Sequence, residues 1–309
     1  MFSTLFIDWR PELEAFHLGS FGVRWYSLMW VIGLIGGYLI VKRLYRQQGI
    51  PQEKFEPLFL YCFLGVLIGA RLGHCLFYEP EYFLTSGKGL VEMFLPIRFA
   101  EASWDWKFTG YTGLASHGGT IGLFLALLVY VKRYKVNFLL LLDDIAIATP
   151  FVAGCIRIGN LMNSEIIGTQ TAMPWGFIFH TNDALVDGML VPRHPAQLYE
   201  ALAYFLIFAI QWRIYKRQVT KSPNHQFANS QLRSSTPGWF FGFTLAAIFT
   251  FRFFVEFLKV EQVDFEKGMP LDMGQLLSIP FIAVGLYFLL RKPKTGNSGI
   301  PGTPGKNSK

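Results

Sequence analysis

Seven stretches of the chain are apolar over most of their length: residues 23–41, 56–76, 113–131, 143–161, 196–212, 237–258 and 274–290. About 20 such residues in a helix cross the hydrocarbon core of a bilayer. The first, third, fifth and seventh stretches end in "VKRLYR", "VKRYK", "WRIYKR" and "RKPK", and the boundaries between them are not basic. The pattern predicts an all-α polytopic membrane protein with seven transmembrane helices. Residues 42–56, 132–144, 213–236 and 291–309, placed together on one side, carry a net charge of +13 and leave −6 for the remainder. Lys and Arg are retained on the cytoplasmic side of membranes. The N-terminus is therefore expected outside and the C-terminus in the cytoplasm, which requires an odd number of spans.

The polar segments divide the rest. Residues 1–22 are expected as an external N-terminal segment and 23–291 as one membrane domain. Within it, 77–112 is an external connection whose "SWDWKF" suits the membrane interface, and 162–195 forms a small external cap between spans four and five. The polar loop 218–236 carries little information. The tail 292–309, rich in Gly, Pro and Lys, is expected to be disordered. The N-terminal residues have neither the basic region nor the small-residue cleavage site of a signal peptide.

Composition agrees with lipid as the solvent: 52% of residues are hydrophobic and 16% charged, against about 25% charged in ordinary globular domains, and the mean hydropathy is +0.33. The net charge of +7 does not point to nucleic acid, because the cations sit at the ends of apolar runs. Cys62, Cys75 and Cys155 all lie within apolar runs and no CxxC occurs, which argues against a disulfide framework or a zinc site. Neither a metal nor a cofactor is implied. No internal repeat is evident, which weakens an inverted-repeat transporter reading.

With this topology the expensive residues fall in one leaflet. Tyr26, Arg71, His74, His117, Arg157, Asn160, Asn163, Glu165, Arg252 and Glu256 all lie in the external half. Ionisable groups in spans cost several kcal/mol unless paired or solvated, so they normally line a cavity or pathway. Each has a plainer reading. Arg252 and Glu256 stand at i and i+4 and suit an intrahelical ion pair, Arg157 and Glu165 suit snorkelling to the headgroups, and the glycines of "SHGGTIG" suit close helix packing. Their common leaflet favours a shared cavity. Arg157, Asn160 and Ser164 follow one helix face through i+3 and i+4 steps, whereas Asn163 and Glu165 depart from it. Two arginines suit an anionic, oxygen-rich group, and phosphate is the commonest of these in a membrane. Histidines titrate near neutrality, which makes His117 a candidate base. The residues themselves thus imply a cavity for a phospholipid headgroup and leave the reaction open.

The segment "GCIRIGNLMNSE" (154–165) resembles the signature of bacterial phosphatidylglycerol–prolipoprotein diacylglyceryl transferases, Gly-Arg-x-Gly-Asn-Phe/Leu-x-Asn-x-Glu. Arg157, Gly159, Asn160, Leu161, Asn163 and Glu165 match it, and Ile156 stands where the family usually has Gly. "RWYSLMW" (24–30), "SHGGTIG" (116–122), "RHPAQLYEA" (193–201), "FRFFVEFLK" (251–259) and "MGQLLSIP" (273–280) follow in the family's order, so the resemblance runs over residues 20–290. It implies a seven-span enzyme of the bacterial inner membrane with its active site facing the outer leaflet. Such an enzyme moves the diacylglyceryl group of phosphatidylglycerol to the lipobox cysteine of a prolipoprotein signal peptide, making a thioether and releasing glycerol phosphate.

Carried over residue by residue, the resemblance makes His117, Arg252, Glu256 and Tyr26 catalytic. It assigns Arg157, Asn160, Asn163, Glu165 and Gly168 to substrate binding. Ile248 stands where the family often has a tyrosine, so no role of that hydroxyl carries over. In this chemistry sulfur attacks a glyceryl carbon while a phosphate ester leaves, and the arginines suit the growing negative charge. The thiol reaches its nucleophilic thiolate form either through His117 or through the positive field of the arginines. Rival readings are a phospholipid or anion transporter using the same arginines, and a heptahelical receptor. A transporter requires ionisable residues through the inner half of the spans, and a Schiff-base receptor requires a lysine in span seven. Spans one, three, five and seven have no such residues there short of their basic ends, and span seven has no lysine.

Overall fold

The computed structural model describes residues 6–19, 21–100, 103–110, 113–181, 184–220, 236–260 and 270–291. The tail 292–309 and most of the loop 218–236 lie outside them. Each expected span contains one long helix: α1 (Trp25–Gln47), α2 (Gln52–Phe77), α5 (Ser116–Tyr134), α6 (Phe138–Met162), α7 (Ala196–Thr220), α8 (Trp239–Glu256) and α9 (Met273–Leu290). Five of them, α1, α2, α6, α8 and α9, are long and apolar enough to cross a membrane. The polar residues of α5 and α7, such as His117, Gln197, Glu200 and Gln211, set those two apart.

The all-α expectation holds for the long helices and needs correcting between them. Residues 77–112 contain two short helices, α3 (Pro80–Thr85) and α4 (Gly87–Phe94), and a hairpin of β4 (Ile97–Phe99) with β5 (Trp106–Phe108). The N-terminal segment holds β1 (Ile7–Trp9) and a hairpin of β2 (Glu14–Leu18) with β3 (Phe21–Arg24). In the stretch 162–195, β6 (Phe177–Phe179) pairs in parallel with β1, and β7 (Leu185–Val186) pairs with β8 (Met189–Leu190). The β1–β6 pairing joins the N-terminal segment to the 162–195 region, a contact between residues too distant in the chain for periodicity to reveal.

Small residues decide how the helices pack. A Cβ built on Gly69 or Gly118 meets the other residue's backbone, and one on Gly122 meets that of Gly65, so α2 and α5 touch main chain to main chain. On α1, Gly36 and Gly37 receive Phe151 and Val152 of α6. On α8 and α9, a Cβ at Gly285 would lie 2.5 Å from the Ala246 nitrogen. Close approach of this kind replaces the hydrophobic drive that lipid removes.

The two ends of the bundle are built differently. At the end rich in Lys and Arg, Val41, Tyr45, Phe55, Leu58, Leu127, Tyr130 and Leu141 form a buried apolar cluster joining α1, α2, α5 and α6. There Asp143 of α6 accepts hydrogen bonds from the Gly238 and Phe241 nitrogens, both 2.9 Å, and so caps α8 from a neighbouring helix. Gln48 donates to Asp144 at 2.8 Å. The opposite end carries the buried ion pairs.

Gly118→Leu is expected to force α2 and α5 apart and to cost about 1–3 kcal/mol or more. Thermal unfolding in detergent measures it against Gly87→Ala, whose added Cβ meets nothing within 4 Å and is expected to leave the midpoint unchanged.

Candidate active site at the ends of α6, α7 and α8

The turn after α6 closes on its own side chains. Asn163 caps the helix, its nitrogen donating to the Gly159 carbonyl at 3.1 Å. Ser164 and Ile166 then take positive φ of 54° and 56°, a region that is costly for a β-branched residue and concentrates at functional sites. Glu165, between them, explains how the turn is held. Its carboxylate accepts from Asn160 Nδ2 and from Asn163 Nδ2, each at 3.0 Å. Its nitrogen donates to the Asn160 carbonyl at 3.0 Å, and its own carbonyl accepts from the Gln197 side chain of α7.

From this turn a chain of charges runs inward. Arg157 Nη1 donates to Asn160 Oδ1 at 3.3 Å. The other side of its guanidinium, Nε, lies 2.9 Å from Oε2 of Glu200, a carboxylate with 0% exposure. Glu200 Oε1 stands 3.2 Å from Lys259 Nζ and accepts from the Tyr204 hydroxyl at 3.3 Å. Lys259 in turn lies 2.9 Å from Glu256 Oε2. The order is therefore Arg157, Glu200, Lys259, Glu256, alternating in sign, with both ends of the chain less buried than its middle. Buried charges persist when paired and hydrogen-bonded in this way. Among the described residues, no three His, Cys, Asp or Glu side chains gather where they could share a metal ion.

Arg252 is half-buried one turn before Glu256. It does not form the expected i,i+4 pair, because Glu256 faces Lys259. Among the described residues it has no ion-pair partner. A guanidinium in that setting is suited to an incoming anion. Tyr26 of α1 packs on Gly159, where an added Cβ would come within 3.0 Å of its ring. The signature glycine thus leaves room for the Tyr26 ring against α6.

Gly168 serves as a crossing point. Its nitrogen donates to the His194 carbonyl at 2.9 Å, and it bridges to Lys259. A Cβ there would meet His194 and the Leu258 carbonyl at 2.5–2.7 Å. Arg193, also buried, donates to the Gly168 carbonyl at 3.2 Å and to the Ala184 carbonyl at 3.1 Å. Burial pushes the neighbouring His194 below its ordinary pKa, and its Nδ1 lies 3.1 Å from the Tyr199 hydroxyl.

Three expected residues stand elsewhere. Arg71 is buried against carbonyls: it donates to Glu92 at 2.6 Å and Met93 at 3.3 Å and lies 4.9 Å from the Phe83 ring centroid. It fastens the 80–113 connection to α2. His74 stacks on Tyr78 and lies 3.5 Å from Glu79. His117 is exposed at the start of α5, and no hydrogen bond or ion pair among the described residues joins it to the Arg157 cluster. Conversely, Glu200, Tyr204 and Lys259 belong to the cluster and were not singled out from the sequence. The available signal was the lone acid of "AQLYEALAYF", which needs a cation wherever that segment is buried.

The fold and the site define a membrane-embedded protein with a cluster of alternating charges at one end of its helices. Residues 13–291 match the family described as prolipoprotein diacylglyceryl transferase. A phosphatidylglycerol–prolipoprotein diacylglyceryl transferase of Bacteroides fragilis is 51% identical over 285 residues, covering 92% of this chain and 95% of the relative. Proteins of the same name from Tolumonas auensis and Porphyromonas gingivalis are each 37% identical, covering 93% and 94% of this chain and 97% and 95% of their own. The chain belongs to the prolipoprotein diacylglyceryl transferase family. Transporter and receptor readings lose their support with that membership.

Glu200→Gln is expected to lower stability by about 3–5 kcal/mol, since it strips a buried carboxylate from two cations. Adding Lys259→Met removes one stranded cation and is expected to recover much of the unfolding midpoint. Activity in the double variant should stay low, because Arg157 is no longer anchored. Recovery of both would make the network structural alone.

Proposed function

We propose that this chain transfers the diacylglyceryl group of phosphatidylglycerol to the thiol of the lipobox cysteine in a prolipoprotein signal peptide, the first step of lipoprotein maturation. A C–S bond forms at the glyceryl carbon as the C–O bond to phosphate breaks, giving a thioether and glycerol phosphate. The observation that carries the reading is the linkage of the signature residues Arg157, Asn160 and Glu165 to Glu256 through Glu200 and Lys259. It gives the family motif a physical task.

In this reading all seven long helices span the bacterial inner membrane, with the N-terminus outside and the cluster facing the outer leaflet. The opposite signs of the two sides' net charge support it. Lipids reach the site laterally, and the 162–195 cap covers it from outside. Arg157, held from behind by Glu200, presents its remaining donors to the headgroup. Asn160 and Asn163 add amides, with Glu165 fixing both. Arg252 meets the departing phosphate, whose charge grows where water is scarce. Glu256 keeps Lys259 in line, Tyr26 walls the pocket on the α1 side, and Gly168 acts through the close backbone crossing that brings Lys259 in. His117 takes the thiol proton, approaching from the α2–α5 pair with the bound peptide.

Purified protein with phosphatidylglycerol and a lipobox peptide is expected to yield a diacylglyceryl adduct by mass spectrometry together with free glycerol phosphate. A cysteine-to-serine peptide should give neither. Arg157→Ala is expected to abolish transfer, and near-normal turnover would remove the headgroup role. His117→Gln is expected to be inactive with an unchanged unfolding midpoint. Near-normal activity of that variant at neutral pH would instead assign thiolate formation to the arginines' field.

A further inference from the structure

The basic end of the bundle holds a second concentration of charge, remote from the cluster. Tyr26 and Arg43 are separated by roughly 25 Å along α1 at 1.5 Å per residue, and Glu200 and Lys216 by a similar span of α7. One groove of about 650 Å³ is lined by Lys42, Arg43 and Arg46 of α1. Another, of about 580 Å³, is lined by Arg213, Lys216 and Arg217 of α7. Trp212, which lines the second groove, lies beside a cation of the first. The Arg43 guanidinium lies 5.6 Å from its ring centroid and the Lys216 ammonium 5.7 Å.

The helices come together there for a visible reason. Gly36 lets α1 settle on Phe151 of α6, and the same ring packs on Phe205 and Phe208 of α7 at 5.9 and 5.5 Å. Both helices therefore flank one face of α6, and their basic ends converge. Among the described residues, neither groove has an acidic side chain in its lining. Below the cations the linings turn apolar, with Leu39 56% and Ile210 39% exposed. Retention of positive charge on one side of a membrane accounts for cations at helix ends. It does not account for two sets of three meeting across a tryptophan above an apolar slot.

We infer that this seam binds an anionic phospholipid bearing two phosphodiester groups, one phosphate in each groove, with its acyl chains along α1 and α7. Basic pockets between helices at the headgroup level take such lipids, and guanidinium groups suit phosphate oxygens. The inference rests on the seven-span reading for the leaflet alone, which is the cytoplasmic one; the binding itself does not depend on the transfer reaction.

The test is native mass spectrometry of the full chain released from detergent micelles after titration with cardiolipin, phosphatidylglycerol, phosphatidylcholine or free glycerol phosphate. Cardiolipin is expected to stay bound at concentrations roughly tenfold below those needed for phosphatidylglycerol. The exposed cations permit mild variants: R43Q/K216Q, and separately R46Q/R213Q, are each expected to weaken cardiolipin retention about tenfold. Transfer to a lipobox peptide and the unfolding midpoint should be unchanged in both. Equal retention by wild type and both variants overturns the site. An equal loss of cardiolipin and phosphatidylglycerol retention in the two variants overturns the two-phosphate assignment, and displacement of cardiolipin by free glycerol phosphate at matched concentration overturns a lipid as the source. A protein inactive in transfer that still shows the tenfold preference would sink the proposed reaction and leave this site standing.

Discussion

Everything at the ionic end depends on how one carboxylate is satisfied. Glu200 has no solvent exposure, and a lone ion in such surroundings would neutralise itself or unfold the segment that carries it. It is shared between Arg157 and Lys259 and receives the Tyr204 hydroxyl. These partners come from α6, from the residues after α8, and from α7 itself. Burying one charge thus fixes three parts of the chain relative to one another. Gly168 allows the arrangement, because its missing side chain lets residues 258–260 cross next to His194. Glu256 then extends it to α9, lying over Gly274.

The opposite end needs no such device. Aromatic rings and aliphatic chains fill the space between α1, α2, α5 and α6, and Asp143 spends its charge on the amides that begin α8. The molecule is held by apolar packing at one end and by ion pairs around the signature residues at the other. That division has a physical basis. Preorganised charges act on a reacting group only if they cannot relax around it, and a network whose members restrain one another meets that condition better than separate residues could.

How much of this was legible in the sequence depended on the kind of signal. The long helices were readable because apolar runs of about 20 residues have few alternatives. Arg157, Asn160 and Glu165 stood out because polar groups closed an otherwise apolar run. Glu200 gave a weaker signal: it is one acid among tyrosines and glutamine at the start of α7, and only its burial reveals what it needs. Lys259 resembled an ordinary basic residue at a helix end. Arg71 shows the reverse error. It shared a leaflet with the other cations, yet its donors are taken by the carbonyls of Glu92 and Met93. Depth along a helix is readable from sequence; the direction of a side chain around it is not. The strand pairs were hidden because each strand has five residues or fewer, too short for alternation to register.

Ile248 carries the last step. The family resemblance made that position a loss, since an isoleucine offers no hydroxyl near Arg252. Yet the cluster contains a phenol: Tyr204, on α7, donates to Glu200. A phenol there is tied to the same carboxylate that anchors Arg157, so its orientation follows from the network and not from the helix that carries Arg252. A site built around a shared buried ion can draw its hydroxyl from either neighbouring helix, because the ion determines where the group must point. At Glu200 that hydroxyl comes from α7.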